Sequence, residues 1–293
     1  MSYRLGVDVG GTFTDFLLID ESSGSTFTAK VPSTPEDSSL GVLNGVSKIC
    51  KQSGIDPKDI NLVMHGTTVA TNAVLTGNGA TVGLLTTQGY ESVLQVARSF
   101  CPGGLGGWVS FVKKPLLAPL ELTHGVIERT DADGTISTPL NEKQLKEELN
   151  ALKAKGGVEA LTISFVNSYV NDTNEQQAAE IAKDIFKDIP ISISSEVIPE
   201  MQEYERAETT VLNSYVRPQV SKYVDNLQSS LESSLSKDVQ LSILRSDGGL
   251  ASSRSTGESP VNHLMSGPAG GVAGAIHFCS KAGHDNILTF DMG

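Results

Sequence analysis

Gly6-Val7-Asp8-Val9-Gly10-Gly11-Thr12-Phe13-Thr14-Asp15 is the stretch on which the reading of this 293-residue chain turns. An apolar run over 3–9 ends in Gly10-Gly11, and a second apolar run over 13–20 follows, a strand–turn–strand pattern. The first strand delivers Asp8 near its end. Gly10 and Gly11 carry no side chains, so backbone N–H groups can approach a phosphate closely. Thr12 and Thr14 add hydroxyl donors. A carboxylate at Asp8 would repel phosphate unless a cation, usually Mg2+ with its waters, lies between them. A P-loop or a dinucleotide fingerprint needs a helix after its glycines, whereas these glycines join two strands. A plain Gly-Gly hairpin is the competing reading, and Asp with two Thr around the glycines argues against it.

The far end of the chain repeats the idea. Ile287-Leu288-Thr289-Phe290-Asp291-Met292-Gly293 is again an apolar run, an Asp, one apolar residue and a Gly. Asp291 is therefore a second candidate metal ligand beside Asp8, and Gly293 a second candidate phosphate contact. Two such elements are expected to grip one nucleotide from two related lobes.

Between them the pattern alternates. After a third strand at 26–31, Thr34 and Pro35 open a helix whose apolar positions Leu40, Leu43, Val46 and Ile49 recur every three residues, with Gly54 at its end. Strands at 61–64, 81–85, 158–165 and 191–194 alternate with helices at 67–75, 90–97 and 174–186, which implies parallel α/β units. The Gly-rich stretch 98–120 breaks the rhythm and is expected to be irregular. A long helix is expected over 201–235, split or kinked at Pro218. The expected organisation is one lobe over 1–195 and the start of a second over 196–293.

Three further places combine chemistry with position. His65 stands at a strand end, where α/β sheets gather ligands, and could orient substrate or move a proton; a hydrogen-bonded structural His is the rival. Ser246-Asp247-Gly248-Gly249 also follows a strand, so Asp247 could act as a base or hold Mg2+, with Ser246 and Gly248 near phosphate; an Asx turn is the rival. Gly267 and Gly270 read first as close helix packing, with N–H groups that could face phosphate.

The composition, 39% hydrophobic and 19% charged, is that of a globular protein with a sizeable core. A net charge of −12 argues against nucleic-acid backbone and anionic membranes as partners. No apolar run reaches eighteen residues, and the N-terminus reads as a strand rather than a signal peptide. Cys50, Cys101 and Cys279 have no metal-site or disulfide spacing, and reduced thiols fit a cytoplasmic location.

Residues 5–15 resemble the first phosphate motif of the superfamily that holds actin, the ATP-driven heat-shock chaperones and the sugar kinases. Residues 287–293 resemble the opening of its second phosphate motif, and 266–275 its lobe-connecting helix. More closely, GVDVGGTFTD (6–15), HGTTVATNAVL (65–75), YERAETTVLNSYVRP (204–218), SDGGL (246–250) and SGPAGGVAGA (266–275) are similar to the hydantoinase A/5-oxoprolinase/acetone carboxylase family. The resemblance implies an α/β, actin-like ATPase (ribonuclease H-like) fold, with two lobes around a nucleotide cleft and the second lobe incomplete here. It implies ATP and Mg2+ as cofactors, phosphorylation of a cyclic amide carbonyl for ring opening, and a B-type partner subunit in a hetero-oligomer. It also raises a substrate-side role for Glu205 above that of a solvated helix charge. ATP-dependent ketone carboxylation is the alternative, and a small-molecule kinase a more distant one. Because the second phosphate loop stops after one Gly, the isolated chain is expected to bind ATP weakly.

Overall fold

The computed structural model describes residues 3–34, 38–99 and 103–290. The expected meander is formed: β1 (Tyr3–Val9), β2 (Phe13–Asp20) and β3 (Thr26–Pro32) pair antiparallel in sequence order. Their alternation decides the two faces. Leu5, Val7, Val9, Phe16 and Leu18 are buried, while Asp8, Asp15 and Leu17 point the other way and are exposed.

Helix α1 (Ser38–Ser53) packs on β2 and β3. Its buried stripe is Ser39, Val42, Val46, Ile49 and Cys50, while Leu40 is exposed and Leu43 only half-buried. The expected three-residue spacing drifts around a 3.6-residue helix, so Leu40 and Leu43 leave the core face. Gly54 ends α1 in the left-handed region (φ 73°). Strand β4 (Ile60–Gly66) then pairs parallel with β1, and α2 (Val69–Thr76) follows.

Next come β5 (Val82–Thr87), α3 (Val93–Val96), α4 (Gly104–Ser110), β6 (Thr123–Val126), β7 (Arg129–Thr130), β8 (Ile136–Thr138) and α5 (Glu142–Lys155). The stretch expected to be irregular thus contains α4, a short helix entered through Gly103 and Gly104, both with positive φ. β9 (Ala160–Ser164), α6 (Thr173–Ile185), β10 (Ile191–Ile193) and α7 (Ser194–Val197) precede α8 (Glu203–Ser234). Pro218 does not interrupt α8, which continues for four more turns beyond it. One missing N–H costs less than abandoning a stripe in which Val216, Val220, Val224, Leu227 and Leu231 are all fully buried. β11 (Gln240–Leu244), β12 (Leu250–Ser252), α9 (Ser253–Glu258) and α10 (Ser266–Lys281) complete the described elements. Residues 287–290, expected as a strand, pair with nothing among the described residues, and Leu288 and Phe290 stand exposed. A strand exists only through its ladder, and none is offered to this segment.

The chain packs as two compact units, Met1–Asn78 with Gln219–Gly293, and Gly79–Pro218. The first holds a six-stranded sheet in the order β12-β11-β4-β1-β2-β3. An antiparallel meander extended by parallel strands is the sheet arrangement of the actin-like ATPase fold expected above. The second holds the parallel sheet β10-β9-β5-β6, with β5 and β9 buried along their whole length. That is the signature of a sheet covered on both faces. α5 and α6 supply one cover, through Leu145, Leu149, Leu152, Ala178 and Ala182. The first half of α8 is tied to the strands by Thr162 donating to Ser214 (2.6 Å) and Arg217 donating to the Ile191 carbonyl (2.6 Å).

Candidate functional site

A cavity of about 830 Å³ lies in the first unit, lined by Gly6, Asp8, Asp15, Leu17, Lys30, Lys48, Met64, His65 and Gly66, and by Gly267, Gly270 and Gly271 of α10. The register lays a row of residues across its floor: Gly66 on β4 is opposite Asp8 on β1, Asp8 opposite Asp15 on β2, and Asp15 opposite Lys30 on β3. Lys30 pairs with Asp15 at 3.0 Å. Partial burial, with the Asp15 charge second, raises the Asp8 pKa above the usual carboxylate value. A Cβ at position 66 would stand 3.5 Å from Asp8 Oδ1, an ordinary contact distance, so Gly66 and the carboxylate are immediate neighbours.

The β1–β2 loop is pinned from β3. Ser33 Oγ donates to the Gly10 carbonyl (2.7 Å), and Ser33 N–H donates to the Thr12 carbonyl (2.9 Å). The Ser33 proton being committed, Thr14 Oγ1 donates to Ser33 Oγ at 3.0 Å. Thr14 is fully buried, so its hydroxyl braces the loop from within rather than facing outward. Gly10 N–H closes the turn onto Phe13 (3.0 Å). Gly11 and Thr12 are exposed, with open space where a Cβ on Gly11 would lie. Among the described residues, no group of three His, Cys, Asp or Glu side chains could hold a metal. One or two carboxylates beside phosphate oxygens and water is nevertheless the donor set Mg2+ accepts, and Asp8 with its open oxygen fits it.

His65 is buried, and burial lowers its pKa to about 4. Its Nδ1 lies 3.4 Å from the Val7 carbonyl and its Nε2 2.7 Å from the Tyr223 hydroxyl. A carbonyl only accepts, so Nδ1 carries the proton and Nε2 accepts from Tyr223. The neutral ring thus ties α8 to β1 one residue before Asp8. Ser266 Oγ donates to the Thr67 carbonyl (3.2 Å), which anchors the start of α10 beside the same strand end. α10 packs near β11 at Gly270, where a Cβ would meet the Cδ2 tip of the Leu244 side chain at 2.6 Å. Gly267 is exposed beside it.

Ser246, Asp247 and Gly248 sit in the β11–β12 hairpin turn and do not line the cavity. Asp247 accepts from Gly249 N–H (2.9 Å) and pairs with Arg245 (2.8 Å), and Gly248 takes a positive φ of 81°. Glu205 belongs to the second unit and pairs with Arg98 at 2.5 Å. Asp291 and Gly293 lie outside the described residues, as does Cys101. Sequence reasoning assigned no role to Asp15, Lys30 or Lys48. Asp15 and Lys30 were findable from strand alternation, which puts Asp8, Asp15 and Lys30 on one face once the meander is accepted.

The second unit holds a buried polar hub at the carboxyl ends of its strands. Arg206 is fully buried and donates to the Phe165 carbonyl (2.8 Å), the Glu200 carbonyl (3.1 Å) and Ser194 Oγ (3.1 Å), and also pairs with Glu203. Glu175 accepts from Phe165 N–H (2.7 Å), Ser194 Oγ (2.6 Å) and Ser195 N–H (2.9 Å). No helix of the described residues is long and apolar enough to cross a membrane.

The model of the hydantoinase/oxoprolinase N-terminal region matches residues 4–186, and the hydantoinase/oxoprolinase model matches 206–293. Caprolactamase subunit alpha of Pseudomonas jessenii is 34% identical, over 99% of this chain and 42% of its own. The acetophenone carboxylase gamma subunit of Aromatoleum aromaticum is 30% identical, over 99% of this chain and 41% of its own. The crystal structure of the ATP-dependent caprolactamase from Pseudomonas jessenii superposes with a TM-score of 0.86 at 33% identity, covering 99% of this chain and 42% of that one. The chain therefore spans about two fifths of the length of these relatives. With both family models matched in order along nearly its whole length, on a fold shared with caprolactamase, the chain belongs to the hydantoinase/oxoprolinase family.

Proposed function

We propose that this chain is part of an ATP-dependent hydrolase that activates the carbonyl of a cyclic amide, such as a hydantoin, 5-oxoproline or a lactam, for ring opening. The observation that carries the reading is Asp8, which lines the cavity and precedes the exposed Gly11-Thr12 turn by three residues, although the turn itself is not part of the lining. In this reading Asp8 holds Mg2+, the Gly11 and Thr12 N–H groups meet phosphate oxygens, and buried Thr14 and Ser33 keep the loop in place. Bound ATP supplies phosphorylation of the carbonyl oxygen, which turns a poor electrophile into one that water can open. His65, neutral and buried, fixes the strand that carries Asp8 rather than moving a proton. Asp291 and Gly293 keep their proposed place as the second acidic–glycine element. The separate matches at 4–186 and 206–293 support a division of the sequence near 195/196, whereas the compact units break at 78/79 and 218/219.

Relatives that are named subunits support a hetero-oligomer with a B-type partner, and we place the assembly in the cytoplasm. The similarity to an acetophenone carboxylase subunit favours one second reading, ATP-dependent ketone carboxylation. The test is a screen of cyclic amides and ketones on the full-length protein with its partner, following ADP, inorganic phosphate and organic product. Ring-opened acid with free phosphate is expected. A carboxylated ketone would replace the first reading by the second, and a phosphorylated product would point to a kinase. Asp8→Ala is expected to abolish turnover with an unchanged circular dichroism spectrum, and retained turnover would remove Asp8 from the site.

A further inference from the structure

We propose that Lys30 binds the terminal phosphate of ATP, and that Asp15 holds the Lys30 side chain ready until the nucleotide arrives. The proposal rests on the ATP-dependent reading above and adds to it the cation that would tell ATP from ADP. Both residues line the cavity of the first unit and stand opposite each other on β2 and β3. The Lys30 side chain is 55% exposed and that of Asp15 53%, so a ligand in the cavity can reach them.

Two observations single out Lys30. The first is a shortage of cations. The chain has a net charge of −12, Asp8 and Asp15 stand side by side on the cavity floor, and no Lys or Arg lies between Arg4 and Lys30. A P-loop brings its own lysine to the phosphates, whereas the Gly10-Gly11 turn brings none. Of the residues that line the cavity only Lys30 and Lys48 are Lys or Arg. Lys48 is engaged, donating from Nζ to the Lys30 carbonyl (2.8 Å), which braces β3 at that position. The second is where the Lys30 head lies. Its Nζ pairs with Asp15 Oδ2 (3.0 Å) and sits 5.2 Å from the centroid of the Phe13 ring. Phe13 opens β2 directly after Thr12, so the ammonium is held at the edge of the β1–β2 turn.

The same row gives Asp15 its part. Lys30 is two strands from Asp8, about 10 Å between their backbones, so it pairs with Asp15 and leaves Asp8 to a metal ion. In phosphoryl transfer Mg2+ bridges the last two phosphates, and a cation in the row of Asp8 meets that end of the nucleotide. An ammonium has three N–H donors, of which Asp15 takes one. An exposed ion pair opens at little cost, whereas a terminal phosphate offers three oxygens and more charge than one carboxylate. Lys30 therefore passes from Asp15 to ATP, and ADP, lacking that phosphate, leaves the pair closed.

The test is calorimetric titration of the full-length protein with its partner, using Mg·ADP and Mg·AMP-PNP, which keeps the terminal phosphate without turnover. Lys30→Met is expected to weaken Mg·AMP-PNP by about tenfold, the order of one hydrogen bond to a charged group, with Mg·ADP affinity and melting temperature unchanged. Lys30→Arg should keep most of the affinity. Asp15→Asn, which releases Lys30, should raise the ratio of AMP-PNP to ADP affinity, and the rise should shrink when Lys30→Met is added. Equal losses for both nucleotides in Lys30→Met, or no loss for either, would overturn the proposal while leaving the hydrolase reading intact. A rise of the same size with and without Lys30 would do so too. If Lys30→Met does not fold, Asp15→Asn alone decides: a raised ratio upholds the proposal, and an unchanged or lowered one overturns it. If wild type binds neither nucleotide, the ATP-dependent reading itself fails, and the role of Lys30 with it.

Discussion

His65 shows how one side chain changes meaning between a strand end in a sequence and a buried ring between two elements. Fully enclosed, it is held neutral, and its pKa falls to about 4 from 6.5. The unfolded chain therefore takes up a proton near pH 6.5 that the folded chain refuses until about pH 4. The stability that rests on a neutral His65 is fully present above pH 6.5 and is lost as pH falls through that window. The difference corresponds to about 3 kcal/mol. We expect His65→Asn to flatten the pH dependence of the urea midpoint between pH 7 and 4 relative to wild type. Two curves with equal slopes would show that this residue does not carry the acid sensitivity. Asp247 makes the opposite point, since an Asp before two glycines equally suits catalysis and an Asx turn, and here it is engaged in the turn.

Helix α1 owes its seat to a missing side chain. A Cβ at Gly45 would fall 1.9 Å from the Phe16 ring, so β2 and α1 meet with glycine facing an aromatic edge. Gly45→Ala should overpack this contact and cost about 1–3 kcal/mol in urea unfolding. Phe16→Leu, introduced alongside, should recover part of the loss, because the smaller side chain makes room for the methyl. Additive effects would mean that the two residues are not in contact. The same element explains the misplaced stripe. Counting apolar letters every three residues finds Leu40 and Leu43, while the helix buries what recurs near 3.6, including the polar Ser39. Helix α5 had a legible signal that was passed over: Asn141 caps it by accepting from Gln144 N–H (3.1 Å), and Leu145, Leu149 and Leu152 follow at helical spacing.

Taken whole, the chain carries charge and apolar surface together. Its net charge is −12, yet in the first unit Phe13 (45% exposed), Leu250 (49%), Ile276 (51%), Phe278 (71%) and Phe290 (85%) stand in solvent. Exposed aromatic and aliphatic side chains offer apolar dyes a surface to bind. The chain alone should therefore bind an apolar dye such as ANS at neutral pH, and Ile276→Ser with Phe278→Ser should weaken the signal. Unchanged fluorescence in the double variant would place the dye elsewhere. Much of the architecture follows from local order in the chain: the Gly-Gly turn forces a meander, alternation sorts Asp8, Asp15 and Lys30 onto one face, and the strand–helix rhythm implies parallel sheets. These are short-range consequences of backbone geometry, and periods of 2 and 3.6 are visible in the letters. Packing decided the rest. The first unit is assembled from the two ends of the chain, Pro218 lies within an unbroken helix, Thr14 turns inward to Ser33, and Arg98 meets Glu205 across more than a hundred residues. Such outcomes depend on which distant groups compete for the same donors and the same buried volume, and no local pattern records that competition.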